Sequence, residues 1–256
     1  MSDWGTRPVL VALATYNERD NLESLVREIH TVAPAAHVLI TDDNSPDGTG
    51  LVADALAAAD PRLHVVHRPG KMGLGTAHLG AVEYAIHRGF ELLVTMDADS
   101  SHRPHYLPAL LDGMADKDVM IGSRYVPGGG VENWPLSRLW MSRLTNLLMR
   151  LILPMPARDT SGGFRCYRVE LLRRVDLDGF LSKGYSFQQE MLQRCVLAGA
   201  RVGETPIVFV DRRAGSSKAG VGEIVRSLTT LVRLSWWARG RKPKRPPEEE
   251  RARRRA

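Results

Sequence analysis

Residues Phe90 to Ser101 read FELLVTMDADSS: an apolar run that stops at two aspartates, Asp97 and Asp99, one residue apart. Leu92-Leu93-Val94 has the look of a buried strand and is too short to complete a helix by itself. Carboxylates at the carboxyl end of such a strand face the crevice in which open α/β sheets bind their ligands. Two hard oxygen donors suit a divalent cation of the magnesium type, which is usually shared with substrate phosphates. An Asp-x-Asp pair alone describes a polar turn equally well. The rest of the chain decides between the two.

Working outward, strands and helices alternate. Val9–Ala14, Val38–Thr41, Leu63–His67 and Val119–Ile121 read as further strands. Asn21–Val32, Gly50–Ala59 and Thr76–Arg88 read as helices, and Pro104 opens another. In the first of these helices Leu22, Leu25, Val26 and Ile29 share one face. This rhythm predicts an α/β domain with a mostly parallel central sheet flanked by helices. The second half changes character. Gly128-Gly129-Gly130 is a break, Leu136–Leu153 a long apolar helix, and Asp159–Arg165 a polar glycine-rich loop. Ser186–Ala198 is a helix, Pro206–Val210 a strand, and Glu223–Arg239 a final amphipathic helix. The fold is expected over residues 1–241. The basic tail 242–256, rich in Pro, Arg and Glu, is expected to be disordered.

Two other strand ends carry polar loops: Thr15-Tyr16-Asn17-Glu18, and Thr41 to Thr49, TDDNSPDGT. Three carboxylate-bearing loops would therefore meet at one sheet edge. Tyr16, Glu18 and Asp43 supply the aromatic face and acidic acceptors that a base and ribose require. Asp47 and Gly48 also fit a turn, and Asn17 and Asp20 a helix cap. There is no Gly-x-Gly-x-x-Gly after the first strand and no Gly-x-x-x-x-Gly-Lys-Ser/Thr, which argues against a dehydrogenase or a P-loop hydrolase.

Taken in order, ATYNE, DDNSPDGT, GKMGLGTA, MDADSSH, GSRYVPGG, DTSGGFRCY, KGYSFQQEM and FVDRRAGSSK resemble the family 2 glycosyltransferases of the GT-A (Rossmann-like) fold. Within that family they resemble the dolichol- and polyprenol-phosphate mannose synthases. The resemblance spans nearly all of Val9 to Lys218 and implies a GDP-mannose donor, a polyprenyl or dolichyl phosphate acceptor, and Mg²⁺ or Mn²⁺ as cofactor. It places Ala14, Tyr16, Glu18, Thr41 and Asp43 on the guanosine side, Ala14 standing where a proline is usual. Asp97, Ala98 and Asp99 fall at the diphosphate and its metal, with Ser101 where some relatives have a glutamine ligand. Arg124 would face both donor and acceptor phosphates, and Arg138 and Ser142 the acceptor phosphate. Arg212 and Lys218 would lie in a loop over the donor, with Gln188, Glu190 and Lys183 bordering the sugar. Asp99, Arg124 and Arg138 are the residues implied to carry the chemistry. An arginine fork suits phosphate oxygens.

A phosphate acceptor is already an anion, so no strong general base is required. In-line attack would invert the anomeric centre and give a β-linked product. The lipid accounts for Leu139, Trp140, Leu144, Leu147, Leu148 and Leu151, and for Ile224, Leu228, Leu231, Val232, Trp236 and Trp237 with Arg226, Arg233 and Arg239 interspersed in the same helix. Such segments suit a membrane interface or, alternatively, packing on the sheet.

The formal net charge is +6, much of it in the tail. Such a tail attracts any polyanion, yet the folded part shows no nucleic-acid motif. The two cysteines, Cys166 and Cys195, make no disulfide framework or metal motif. No stretch reaches the roughly 18–20 apolar residues a spanning helix needs, and no apolar leader precedes the first strand. A reducing cytoplasmic setting, peripheral to the inner face of a membrane, is the expectation; a protein partner is not readable. Rival readings are a polyprenyl-phosphate glucosyltransferase using UDP-glucose, a hydroxyl-acceptor transferase, and a nucleic-acid-binding module built on the tail.

Overall fold

The structure, a computed structural model, describes residues 7–153, 155–180, 182, 186–211 and 233–238. Its centre is a seven-stranded sheet. Strand β1 (Val9–Thr15) pairs in parallel with β2 (His37–Asp42) on one side and β4 (Leu92–Asp97) on the other. Strand β3 (Leu63–His67) continues beyond β2. On the far side of β4 lies β7 (Arg165–Arg168), antiparallel to both β4 and β5 (Val119–Ser123). Strand β8 (Val202–Pro206) closes that edge, parallel to β5. Two short strands, β6 (Gly130–Glu132) and β9 (Val208–Val210), form a separate parallel pair.

Side chains along β1 alternate between two cores, as strand geometry requires. Leu10 and Ala12 pack with α3 (Leu74–Arg88), α6 (Val169–Leu172) and α7 (Phe187–Leu197). Val9, Val11 and Leu13 pack with α1 (Arg19–Val32), α2 (Thr49–Ala59) and α4 (Leu107–Asp112). In α1 the i, i+3, i+4, i+7 set Leu22, Leu25, Val26 and Ile29 is the buried stripe read from sequence. Burying Ile29 completely contributes about 1.5–3 kcal/mol. The chain leaves β1 toward β2 and β3 on one side and places β4 on the other. The crevice at the carboxyl ends of β1 and β4 is therefore a topological switch point, where such sheets bind ligands.

Some elements differ from the reading. Pro206–Val210 is not one strand. Strand β8 ends at Pro206, and the chain then changes sheets at Ile207, whose N–H donates to the Ser123 carbonyl (3.0 Å) while its own carbonyl accepts from Gly130 (3.0 Å). Strands β6 and β7 are additions to the reading, starting on the last residue of the Gly128–Gly130 break and of the Asp159–Arg165 loop. Strand β7 begins on Arg165, a charge in a fully buried position. Helix α1 lacks a side-chain cap of its own. Asp47 from the next loop instead accepts from the Arg19 N–H (3.2 Å), and the Thr49 hydroxyl accepts from that of Glu18 (3.0 Å). The long helix α5 (Leu136–Ile152) is as read. Of the last helix only residues 233–238 are described, and these are helical. Ile224, Leu228, Leu231, Val232, Arg226 and Arg239, like the tail, lie outside the described residues.

Candidate active site

Strand register brings the donor-side residues together. At one level of the sheet, Ala14 stands between Thr41 on β2 and Asp97 on β4. One residue on, Thr15 opposes Asp42 and donates to its carboxylate (3.0 Å), and the Asp43 N–H donates to the Thr15 carbonyl (3.1 Å). The loops after β1 and β2 are thus tied edge to edge. Each turns through a residue with positive φ, Asn17 (61°) and Asn44 (55°), a conformation asparagine tolerates better than most residues. Glu18 is nearly buried and accepts from the Asn21 amide (2.8 Å). Tyr16 is exposed, with the Lys71 ammonium 4.2 Å from its ring centroid. Asp43 is ion-paired with Arg68, whose Nη1 also reaches the Thr76 hydroxyl (2.6 Å). Arg68 was not singled out from sequence; only its position one residue after β3 marks it.

At the end of β4, Ser101 turns inward. Its hydroxyl and N–H both donate to Asp99 Oδ1, at 2.5 and 3.0 Å, through a turn in which Ser100 has φ 63°. Ser101 is buried, so its role in this fold is to hold the Asp99 carboxylate. His102 packs on Phe164, and its Nδ1 accepts the Asp97 N–H (2.9 Å), which leaves Nε2 to carry the proton. A Cβ placed on Gly163 would lie 3.6–3.7 Å from Asp97 Oδ1, His102 Cε1 and Gln188 Nε2, so the backbone at Gly163 closely approaches all three. Gln188 hydrogen-bonds the His78 ring (3.2 Å). Burial, reinforced by nearby Arg165, lowers the His78 pKa to about 4, so the ring is neutral. Arg165 is satisfied by the carbonyls of Gly162, Gln188 and Thr160 (2.8, 2.6 and 2.7 Å), which fastens the 159–163 loop to α7. Glu190 is fully buried on α7. It pairs with buried Arg194 (2.7 Å) and accepts the Ser182 N–H (2.8 Å).

Arg124, just after β5, is gripped by Asp159. Nε and Nη2 donate to its two oxygens (2.7 and 2.8 Å), and the Arg124 N–H adds a third bond (3.1 Å). Nη2 also meets the Ser161 hydroxyl (2.8 Å). Burial would lower the Arg124 pKa, but the Asp159 carboxylate outweighs it and holds it above its ordinary value. In Asp159, burial acts upward and the same partner overrides it downward. Trp134 joins the arginines: the Arg138 guanidinium lies 4.0 Å and that of Arg124 5.3 Å from its ring. Arg138 is ion-paired with Asp211 (2.6 Å), and Ser142 accepts the Tyr125 phenol (2.6 Å). Arg124, Arg138 and Ser142 therefore belong to one network through Trp134 and Tyr125. Trp134, Tyr125, Asp159 and Asp211 were not foreseen as its members, although Asp159 heads a quoted motif. Arg212, Lys218 and Lys183 lie outside the described residues.

Asp97 and Asp99 fit a hard divalent cation. Both donors are carboxylates, and the Asp97 side chain is one-third exposed. Among the described residues no three His, Cys, Asp or Glu converge in a group that could hold a metal. The two thiols are buried in the core, and burial pushes Cys195 up to about 12, so they have no part in this chemistry. Among the described residues no helix is long and apolar enough to cross a membrane.

The family model described as Glycosyl transferase family 2 matches residues 10–176. The chain is 45% identical over 238 residues to the polyprenol monophosphomannose synthase of Mycolicibacterium smegmatis, covering 92% of this chain and 89% of that protein. It is 43% identical over 231 residues to the undecaprenyl-phosphate mannosyltransferase of Micrococcus luteus, covering 90% and 95%. Among solved structures, glucosyl-3-phosphoglycerate synthase from Mycobacterium tuberculosis, in complex with Mn²⁺, uridine diphosphate and phosphoglyceric acid, has the same fold. Its TM-score is 0.64 at 16% identity, covering 91% of this chain and 80% of that one. A mannosyltransferase from Pyrobaculum calidifontis in complex with GDP-Man and Mn²⁺ aligns at TM-score 0.56 and 18% identity, covering 95% and 67%.

Proposed function

The chain belongs to glycosyl transferase family 2, and on that footing we propose that it transfers mannose from GDP-mannose to a polyprenyl (dolichyl-type) monophosphate. The products are polyprenyl phosphate β-mannose and GDP. The observation that carries the reading is the Thr41–Ala14–Asp97 row, a donor crevice at the switch point, beside the Arg124–Trp134–Arg138 network. The names of the relatives at 43–45% identity support the mannosyl donor and the polyprenyl phosphate acceptor.

Tyr16, Glu18 and Asp43 receive the guanosine, Tyr16 by stacking and the carboxylates by accepting hydrogen bonds. Arg68 keeps Asp43 in place. Asp97 and Asp99 would hold Mg²⁺ or Mn²⁺ against the diphosphate, where the cation supplies Lewis acidity to the leaving group. Ser101 fixes the rotamer of Asp99, and His102 the backbone that carries Asp97. Gln188, set by neutral His78, borders the sugar. The acceptor oxygen needs no deprotonation, since a phosphate monoester loses its second proton at a pKa of about 6. The chain's task is to bring two anions together. Arg124 does so from a fixed position, because Asp159 presets its fork; such preorganised charge costs no reorientation during transfer. Direct displacement on the anomeric carbon inverts it.

The long helix α5 carries exposed Leu136, Trp140, Leu144, Leu147 and Leu151. This stripe suits peripheral attachment to the bilayer from which the acceptor is drawn. Arg212 and Lys218 remain part of the proposal, as cations over the donor. The reading is tested by offering the purified protein labelled GDP-mannose or UDP-glucose with polyprenyl phosphate and Mg²⁺ or Mn²⁺. Label entering lipid from GDP-mannose supports it. Label from UDP-glucose alone replaces mannose with the glucosyl reading.

A further inference from the structure

Beside the transfer site lies a cavity of about 520 Å³, within the usual size of a ligand pocket. Its lining includes Arg124, Arg143, Arg150 and Arg158, with Tyr125 and Leu147, and neither Asp nor Glu. On α5, Arg143, Asn146, Leu147 and Arg150 fall at i, i+3, i+4 and i+7, so one helix face points cations into it. Arg158 joins the lining from the segment that leads to Asp159. Its N–H is fixed by Glu204 (2.7 Å).

The cations differ in their commitments. Arg124 is neutralised by Asp159 and Arg138 by Asp211. Arg143, Arg150 and Arg158 are exposed and form no ion pair among the described residues; Arg143 overlies Trp140, at 5.9 Å, and its charge also acts on Tyr125. Around Arg124, among the described residues, the arginines without an ion pair thus line this cavity, whereas Arg138 must first part from a carboxylate. Leu147 belongs both to the lining and to the exposed apolar stripe with Trp140, Leu144 and Leu151. An anion in the cavity therefore has an apolar track beside it, the arrangement a phosphate on a long hydrocarbon chain requires.

We propose that this cavity receives the monophosphate of the lipid acceptor, with Arg143, Arg150 and Arg158 as acceptor-binding residues alongside Arg124. The inference rests on the acceptor class proposed above and adds the place of entry. The test is the charge-removing triple substitution Arg143→Gln, Arg150→Gln, Arg158→Gln. It is assayed in nonionic detergent micelles, where no anionic phospholipid is present. The matched control removes three exposed arginines elsewhere: Arg27→Gln, Arg88→Gln, Arg173→Gln. The expected result is a KM for polyprenyl phosphate raised at least tenfold, with the KM for GDP-mannose and the melting temperature unchanged, and no such rise in the control. An acceptor KM equal to the control's overturns the proposal. So does a defect seen only with anionic phospholipid vesicles, which would make the cavity a headgroup site. If the unsubstituted protein moves no mannose to lipid, the functional reading itself has failed; if it does and the triple variant matches the control, only the cavity assignment has.

Discussion

Replacing Asp159 by Asn keeps the shape of the side chain and removes the charge that holds Arg124. The structure sets the size of the effect. The Asp159 carboxylate is fully buried and the Arg124 side chain 9% exposed, so solvent cannot stand in for the lost partner. Two of the three Arg124 donors converge on Oδ2, the backbone N–H at 3.1 Å and Nε at 2.7 Å. If the Asn nitrogen occupies that position, donors face donors. If the amide flips, the N–H groups of Gly162 (2.9 Å) and Ser161 (3.3 Å) lose Oδ1 instead. Breaking a buried pair from one side costs about 3–5 kcal/mol, because the remaining charge stays buried and uncompensated. For a chain of this size that lowers the melting temperature by roughly 6–20 °C. The decisive comparison is a double-mutant cycle with Arg124→Met, read by urea denaturation followed by circular dichroism. With the guanidinium gone, Asp159→Asn should cost only about 1–2 kcal/mol, giving a coupling of about 2–3 kcal/mol. A cost below about 1 kcal/mol in the Arg124 background, or an equal cost in both backgrounds, would show that Asp159 does not hold Arg124.

Three further outcomes follow from the same contacts. Asp99→Ala should abolish transfer with an unchanged far-ultraviolet spectrum and melting curve; near-normal turnover would remove Asp99 from the chemistry. Ser101→Ala releases the Asp99 carboxylate from its 2.5 Å hydroxyl bond. It should raise the metal concentration for half-maximal activity about 3–10-fold, an effect of roughly 1 kcal/mol, and an unshifted metal curve would assign that bond to the turn alone. His78 has a folded-state pKa of about 4, depressed by burial from 6.5. The unfolded chain takes up the proton first, so stability from the neutral ring is complete above pH 6.5 and is lost progressively as pH falls toward 4. Between pH 7 and 4.5 the native protein should lose about 2–3 kcal/mol more than His78→Asn at about 1.4 kcal/mol per pH unit; parallel losses would disprove a buried neutral His78.

The sequence made β3, β2, β1 and β4 legible because each is a short, mostly apolar run that ends in a polar loop. Leu63–His67 was read to the residue, and β4 was found from the aspartates that close it. Strand β7 escaped because its first residue is an arginine. Three backbone carbonyls satisfy that charge, and no periodicity can announce carbonyls supplied by tertiary structure. Pro206–Val210 reads as one strand because Pro206 and Ile207 look continuous; it takes in only the last residue of β8, and the change of sheet at Ile207 depends on Ser123 and Gly130, far away in sequence. In the site, motif positions found the residues that line it and missed what restrains them. Asp43 was read without Arg68, and Arg124 without Asp159, whose partners lie 25 and 35 residues away. Ser101 was read as a weak metal ligand; its hydroxyl is directed at Asp99. The three cavity arginines belong to no quoted motif pattern, and only their convergence in space marks them.

The most direct test is lipid extraction after incubating the purified protein with radiolabelled GDP-mannose, polyprenyl phosphate and Mn²⁺, run beside Asp99→Ala. Label should appear in the lipid fraction as a β-linked, mild-acid-labile mannosyl phosphate with the unsubstituted protein and be absent with the variant. Lipid that stays unlabelled with the native protein, or is labelled equally with Asp99→Ala, would contradict the assignment of mannosyl transfer to this carboxylate site.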